Sequence, residues 1–516
     1  MKSPDGNTES SWRHAVKIDQ CPPLSKSVET DVCVVGAGIA GLTTAYLLAK
    51  RGKKVAVVDA GPIGDGQTAR TSAHLASALD DRFVEIEKAF GSDGARLAYE
   101  SHAGAIDEIE RISKAEKIDC DFARVDGYLF LGRDQKPSFI DNELHAAQRA
   151  GFTSATKLDR APLPDFDTGP CIRFPKQAQF HPLKYLVGLS RAVQKQGVKI
   201  FCGTRIVDVQ GTDEKNKRRA FAKTGNNRAI HADAVVVATN TPAPINDWLG
   251  IYLKQMAYRS YVVALPIAAG SVKPALYWDT EDPYHYVRVQ PDGDSELLLV
   301  GGADHRTGQQ PEKGGRFVEL IEWARKRFPV EGDAVYQWSG QVQEPADGLG
   351  YLGRAPTANP DVYVITGDSG MGLTHSTIGA MLITDLIEGK SNPWEKLYDP
   401  SRKPTGALLA LESVAAENTN TVAKYVELIT PGDVKSADDI PINSGAVLRE
   451  GLHKIAVYKD HAGRLHRHSA VCTHLGCIVA WNQIEGTWDC PCHGARYDPK
   501  GKVILGPAIE DLKAVD

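Results

Sequence analysis

Near the C-terminal end of the sequence two short segments, Cys472-Thr-His474-Leu-Gly-Cys477 and Cys490-Pro-Cys492-His493-Gly494, each place a cysteine and a histidine close enough for one loop to offer both side chains to a common centre. Any fold of this region must therefore bring the two loops together. Of nine cysteines, Cys472, Cys477, Cys490 and Cys492 crowd here, whereas Cys21, Cys33, Cys120, Cys171 and Cys202 are scattered. In an intracellular chain such crowding points to metal or redox chemistry more often than to a disulfide framework. The scattered five read as small buried hydrophobes, Cys33 lying inside the apolar run from Val32 to Val35.

Four thiolates would fit zinc or an ordinary iron–sulfur cluster, so the interleaved histidines need a reason. In a Rieske [2Fe–2S] centre two thiolates hold one iron and two neutral imidazoles hold the other, which raises the reduction potential. Cys472 and Cys490 then take one iron and His474 and His493 the other, with Cys477 and Cys492 left over. A Cys/His zinc ribbon draws on the same ligand types and stays open as an alternative. The boxes CTHLGC and CPCHG resemble those of Rieske proteins of the cytochrome bc type, a likeness that runs from about Asp439 to Leu512 and takes in Tyr497 and the Gly506-Pro507 turn. The resemblance implies a Cys477–Cys492 disulfide beside the metal and a hydrogen bond from Tyr497 to a ligand sulfur. Ala495 stands where high-potential relatives have a serine that bonds a bridging sulfide, which implies a potential below the respiratory range.

The other strong pattern is N-terminal. The strand DVCVV runs into Gly36-Ala-Gly38-Ile-Ala-Gly41, the apolar helical stretch LTTAYLLAK follows, and a second strand ends at Asp59. A glycine fingerprint alone is weak, but in a complete βαβ unit it lets a pyrophosphate approach a helix N-terminus while the acid binds ribose hydroxyls. A glycine turn needed only for packing is the bland alternative. More than 300 residues on, Gly367-Asp-Ser-Gly370-Met-Gly372 opens a second strand–turn–helix motif.

Together these motifs resemble the D-amino-acid oxidase (DAO) family of flavoproteins from Asp31 to about Gly389. The resemblance implies FAD held by Gly36, Gly38, Ile39, Ala40, Gly41, Asp59 and Ala60, by Thr71 and Ser72 in a segment passing the flavin (Gly66 to Asp81), by Val207 near the adenine, and by Gly367, Gly370, Met371, Gly372 and Leu373. No second G-x-G-x-x-G unit is present for a nicotinamide nucleotide, so electrons are expected from an organic substrate. His74 lies in the flavin-side segment, where some relatives attach FAD covalently; packing or hydrogen bonding beside the ring is the simpler role.

Family members oxidise C–N bonds of amines or amino acids, a reaction that needs positioning more than a dedicated acid or base. In YHYVRVQ, strand alternation puts Tyr284, Tyr286 and Arg288 on one face. If that face lines the cavity, Arg288 is placed to clamp a substrate carboxylate; a solvated arginine on a sheet surface is the competing reading. His74, Tyr286 and Arg288 are thus the catalytic candidates, with Trp338 and Arg354 weaker. The strand Glu296 to Val300 lacks the lysine with which sarcosine-oxidase-like relatives activate oxygen, which favours a dehydrogenase. The joint pattern resembles bacterial DAO–Rieske fusions, implying an FAD-dependent amine or amino-acid dehydrogenase whose cluster passes electrons to a quinone, cytochrome or ferredoxin. Reverse flow from cluster to flavin, and a non-enzymatic redox sensor, are the alternatives.

With 516 residues the chain is too long for one ordinary core. The fold class expected is an α/β Rossmann-type FAD-binding domain (28–85, 178–250 and 345–392) with an inserted β-rich α+β substrate domain (86–177 and 251–344). A linker with a helix near Ala407 to Val426 (393–437) leads to a small all-β Rieske domain (438–516). A net charge of −5 leaves no basic footprint for nucleic acid. Without a signal-peptide pattern or an apolar run of roughly 20 residues, the expected location is cytoplasmic, with no transmembrane segment.

Overall fold

In a computed structural model the described residues are 6–14, 16–133, 135–163, 165–241, 249–309, 315–357, 360–404 and 430–515; the helix expected near Ala407 to Val426 lies outside them. A six-stranded sheet has the order Tyr351–Arg354, Val362–Thr366, Ala234–Asn240, Val32–Val35, Val55–Val58, Lys199–Phe201, all parallel except its first edge strand. These short strands are continuous apolar runs because both faces are covered. Val32, Val34 and Val236 face a helical layer, whereas Cys33, Val35, Val235 and Val237 face a small sheet built from Val28–Glu29, Ala229–Ala232, Ala220–Thr224 and Ile206–Gln210. In the helical layer Ile39–Lys50 packs on Gly372–Ile387 and Pro182–Lys195. The long helix Phe83–Ala115 is broken at Gly91, whose φ of 73° lies in the left-handed region that glycine tolerates.

A nine-stranded sheet forms the second layer, with long strands Gln255–Ile267, Ser295–Arg306 and Tyr336–Pro345 at one end and Ala123–Phe130 and Cys171–Gln179 at the other. Strand alternation divides its residues. Val263, Leu265, Val287, Val289, Leu298 and Val300 pack under the helix Gly315–Arg325, and Val262, Ala264, Leu297 and Leu299 turn to the main core. The short strand His74–Leu75 pairs with Cys171–Gln179 in this sheet, although the sequence grouped it with the dinucleotide-binding part.

The C-terminal domain is all β: a three-stranded sheet (Ser444–Glu450, His453–Lys459, Leu465–Ser469) and a four-stranded one (Ala480–Asn482, Thr487–Asp489, Arg496–Tyr497, Val503–Leu505). Its packing begins upstream of 438, since Arg449 donates to the Thr430 carbonyl and the Asp433 amide to that of Val447.

This domain docks through buried charge. Glu485, 1% exposed, lies 3.1 Å from Arg70 and 3.7 Å from Arg259, which is fully buried on the long strand Gln255–Ile267. Arg259 also lies 3.8 Å from Asp489, itself paired with Arg496 at 3.1 Å. The N-terminal segment joins in: the Thr8 amide and hydroxyl donate to Glu485 at 3.0 and 2.5 Å, the Ser10 hydroxyl donates to the Ala69 carbonyl, and the Trp12 indole to that of Thr71. Burial works against ionisation of Glu485, but Arg70, Arg259 and Arg496 hold its carboxyl down to about 2.

A carboxyl whose pKa is depressed on folding stabilises the fold above its unfolded value of about 4.3. That contribution is lost as pH falls toward 2. Glu485→Gln should cost about 3–5 kcal/mol, because it strands buried guanidinium groups. Thermal unfolding at pH 7 checks this, and a variant melting with the parent would contradict it.

Candidate functional site

Two groups of residues meet where the C-terminal domain rests on the two larger layers. In the first, the loops after Val471 and Asp489 bring Cys472, His474, Cys490 and His493 together. Each loop reverses tightly, the Gly476 amide bonding the Cys472 carbonyl and the Gly494 amide that of Cys490. The backbone amides of His474 and Leu475 are directed at the Cys472 sulfur, and those of Cys492 and His493 at the Cys490 sulfur. Such donors stabilise thiolates. Tyr497 Oη lies 3.2 Å from the Cys472 sulfur, and Cys477 and Cys492 form a disulfide linking the two loops.

The imidazoles supply a test of what the loops can hold. His474 and His493 have ring centroids 5.1 Å apart, and Nδ1 of each is buried without a hydrogen-bond partner among the described residues. Burial pushes both rings down to about 4, so they are neutral at pH 7. Two buried thiol-bearing and two neutral imidazole-bearing residues with orphaned ring nitrogens fit a [2Fe–2S] centre of mixed ligation. Ala495 is fully buried beside it and receives the Cys490 amide on its carbonyl.

The second group is a cleft in the parallel sheet. Gly36 has φ 113°, and a Cβ there would lie 2.4 Å from the Ala238 carbonyl oxygen; a Cβ on Gly41 would lie 1.9 Å from that of Gly36. Only glycine permits this close strand–helix approach. Asp59 accepts the amides of Ala37 at 2.6 Å and Gly61 at 2.8 Å, which fixes the acid at the end of its strand. One cavity of about 280 Å³ takes in Gly38, Ile39, Ala40, Thr71 and Ser72 from the N-terminal half and Gly367, Gly370, Met371, Gly372 and Leu373 from the late turn. A neighbouring one of about 200 Å³ takes in Gly36, Asp59, Ala60 and Ile206. Gly41 is packed inside, and Val207 follows Ile206 along its strand. A bare helix N-terminus, a glycine cradle and a ribose-directed acid fit a dinucleotide.

The sheet-side end of the larger cavity is rich in carboxylates. Asp80, Asp304, Glu344 and Asp368 line it together with His74, Ser260, Tyr284 and Tyr286. Tyr284 donates to Asp80 at 3.1 Å, and Tyr286 and Ser260 bond at 2.8 Å. Ser369 bridges Asp81 and Glu344, and the Gln343 amide donates to Asp368. Burial pushes Asp304 and Asp368 up to about 7, and burial with the charge of Asp80 does the same to Asp81. Glu344 is raised by burial and by Asp81, Asp80 and Asp368.

His74 is packed edge-on to Tyr286, its ring nitrogens 3.0 Å from the Ser72 hydroxyl and 3.4 Å from the Val287 carbonyl oxygen; burial and the Arg288 charge push it down to about 3. The strand begins at Tyr286, so Tyr284 precedes the alternation that was to align it with Arg288. Tyr284 still reaches the cavity wall. Arg288, almost fully buried, instead donates to the carbonyls of Ala73 and Phe180 and to Gln290, and its guanidinium lies over the Trp12 ring. Trp338 is buried, its indole donating to the Arg70 carbonyl, and Arg354 lies on the edge strand bonded to Tyr363. The residues that sequence reasoning missed are Asp80, Asp304, Glu344 and Gln341, which come from three segments with no shared motif.

Gln341 joins the two groups. It lines the larger cavity, its backbone amide donates to Gln67 Oε1 at 2.8 Å, and its side chain donates to the Gly494 carbonyl, next to His493, at 3.0 Å. The buried Tyr252 packs on both imidazoles, with centroid distances of 4.7 and 6.0 Å.

Comparisons with known proteins agree with this division. Residues 31–386 match the FAD dependent oxidoreductase (DAO) family and residues 430–516 the Rieske [2Fe-2S] domain. A Bacillus subtilis protein described as a Rieske 2Fe-2S iron-sulfur protein, YhfW, is 33% identical over 512 residues, 98% of this chain and 97% of the relative. Gamma-glutamylputrescine oxidoreductase of Escherichia coli is 26% identical over 391 residues, 72% of this chain and 87% of that protein. The crystal structure of glycine oxidase from Geobacillus kaustophilus superposes with a TM-score of 0.62 at 19% identity, covering 73% of this chain and 99% of that one, a likeness of fold.

Replacing Ala495 by serine adds a donor where none exists, so the A495S cluster should titrate at a higher potential than the parent. Redox titration followed by EPR measures it, and an unchanged potential would remove Ala495 as the determinant.

Proposed function

The chain belongs to the DAO family of FAD-dependent oxidoreductases and carries a C-terminal Rieske [2Fe–2S] domain, and from that premise we propose that it oxidises the C–N bond of a positively charged amine and exports the electrons through the cluster. FAD supplies two-electron hydride acceptance and the cluster one-electron acceptance, so the pair splits a two-electron oxidation into single steps. The observation that carries the proposal is the Gln341 bridge: one side chain of the cavity wall is hydrogen-bonded to the loop bearing His493.

The wall supports a positively charged substrate. Four carboxylates face the cavity, and the arginine that lines it, Arg70, is paired with Glu485. The arginine expected to hold a substrate carboxylate, Arg288, is bonded to backbone carbonyls. A cationic amine relieves the mutual repulsion of these acids, whereas a substrate carboxylate adds to it. Tyr284 and Tyr286 form the aromatic side of the pocket, and the neutral His74 holds Ser72 in the flavin-side segment. The final acceptor is a one-electron carrier or quinone that meets the cluster domain.

An anaerobic screen tests both halves. Diamines and polyamines are expected to bleach the flavin faster than neutral α-amino acids, with the Rieske EPR signal appearing afterwards. The bleaching rate at low substrate should rise with pH through about 7, as Asp304 and Asp368 ionise. Asp304→Asn should weaken amine binding several-fold. Bleaching by α-amino acids but not amines would sink the substrate reading; bleaching only by a reduced ferredoxin would reverse the direction of flow. Gln341→Leu should slow cluster reduction in freeze-quench EPR several-fold more than it slows flavin bleaching, and equal slowing of the two would remove Gln341 from the path.

A further inference from the structure

The C-terminal domain does more than sit beside the cleft. The smaller cavity has Gly36, Asp59 and Ala60 on one side, and on the other Ile504, Leu505 and Ile509 from the last hairpin and the loop after it. Leu505 also lines the larger cavity, so this stretch runs along the cleft across the boundary between its two parts. Ile504, Leu505 and Ile509 are only partly buried, and the surface they keep lines the cleft. Arg205 fastens the seam. Its guanidinium donates to the Val503 carbonyl at 2.9 Å, and although burial lowers its pKa, the charges of Asp511 and Asp59 on the two sides of the seam oppose that loss.

We propose that the cluster-bearing domain is a wall of the FAD site: Ile504, Leu505 and Ile509 close the adenosine end of the cleft, so the nucleotide is held between the domains. The cleft floor offers polar groups, namely the Asp59 carboxylate and the glycine-turn amides, which suit ribose and pyrophosphate. Adenine also needs apolar surface against its flat faces: Val35, Val58 and Ile206 line the same cavity, and the hairpin adds the wall contributed by the C-terminal domain. Two consequences follow from linkage. A ligand bound only by the docked arrangement stabilises docking, and docking tightens the ligand by the same factor. FAD binding and docking of the C-terminal domain are therefore coupled equilibria, and weakening the hairpin wall weakens retention of the nucleotide.

The test is the FAD content and affinity of full-length Leu505→Asp and Leu505→Ala proteins, measured without any amine. Flavin is counted after denaturation in both the soluble and precipitated fractions, so attached and free nucleotide are both included. Rieske EPR intensity reports independently that the C-terminal domain is folded and loaded. With EPR intensity equal to the parent's, Leu505→Asp is expected to lower the FAD-to-protein ratio and raise the Kd for added FAD roughly tenfold or more, and Leu505→Ala by a smaller factor. Unchanged FAD content and Kd in a variant with full EPR intensity would overturn the proposal. If Leu505→Asp loses the EPR signal, Leu505→Ala decides, and parental FAD affinity there overturns it. Failure of every amine to bleach the flavin would bear on the substrate reading alone, because no substrate enters this measurement.

Discussion

A carboxylate with almost no access to water holds this molecule together. Glu485 belongs to the cluster domain, Arg70 to the segment that passes the cofactor cleft, and Arg259 to the longest strand of the substrate sheet. Isolated, any one of these charges would be expelled from the interior. Mutual neutralisation is what lets them stay, and it specifies a single arrangement of three parts of the chain, because shifting one leaves a charge buried alone. Asp489 and Arg496 extend the arrangement toward the Cys490 loop. The geometry of the cluster and that of the cofactor cleft are therefore set by the same contacts.

From this docking the site acquires its two characters. Toward the cluster the cavity wall carries an amide, Gln341, which reaches Gly494, and outside the cavity Tyr252 packs on the two imidazoles. Toward the substrate sheet it is acidic, with Ser369 shared between Asp81 and Glu344 and Tyr284 donating to Asp80. The two characters lie on one strand, three positions apart, since Gln341 and Glu344 both belong to Tyr336–Pro345. A single strand thus runs from the acidic end of the cavity to the contact with the His493 loop.

How much of this could be read in the sequence depended on how local the constraint was. That Cys472, His474, Cys490 and His493 would come together was legible because each short loop carries a cysteine and a histidine, and the close strand–helix approach at Gly36 and Gly41 beside Asp59 because both demands fall within one βαβ unit. The carboxylate wall was not legible. Asp80, Asp304 and Glu344 arrive from separate segments, and nothing about a single aspartate distinguishes one aimed at a cavity from one on a surface. Arg288 shows the same limit: alternation placed it on the face of Tyr286, but its partners, the carbonyls of Ala73 and Phe180, were set by the long-range pairing of strands. The N-terminal residues Thr8, Ser10 and Trp12, polar and unpatterned in sequence, were assigned no role, yet each bonds at the docking surface or beside the cleft.

That segment also dictates a timetable. The hydrogen bonds between Thr8 and Glu485 span 477 positions of sequence, so Thr8 waits for a partner made much later. At about 5–20 residues per second the delay is roughly 25–95 s. Through that interval the cofactor-binding layers emerge and collapse with Arg70 and Arg259 lacking their carboxylate. Only once Glu485 has emerged can Thr8 bond it, so this contact belongs to the late steps of folding rather than the early ones.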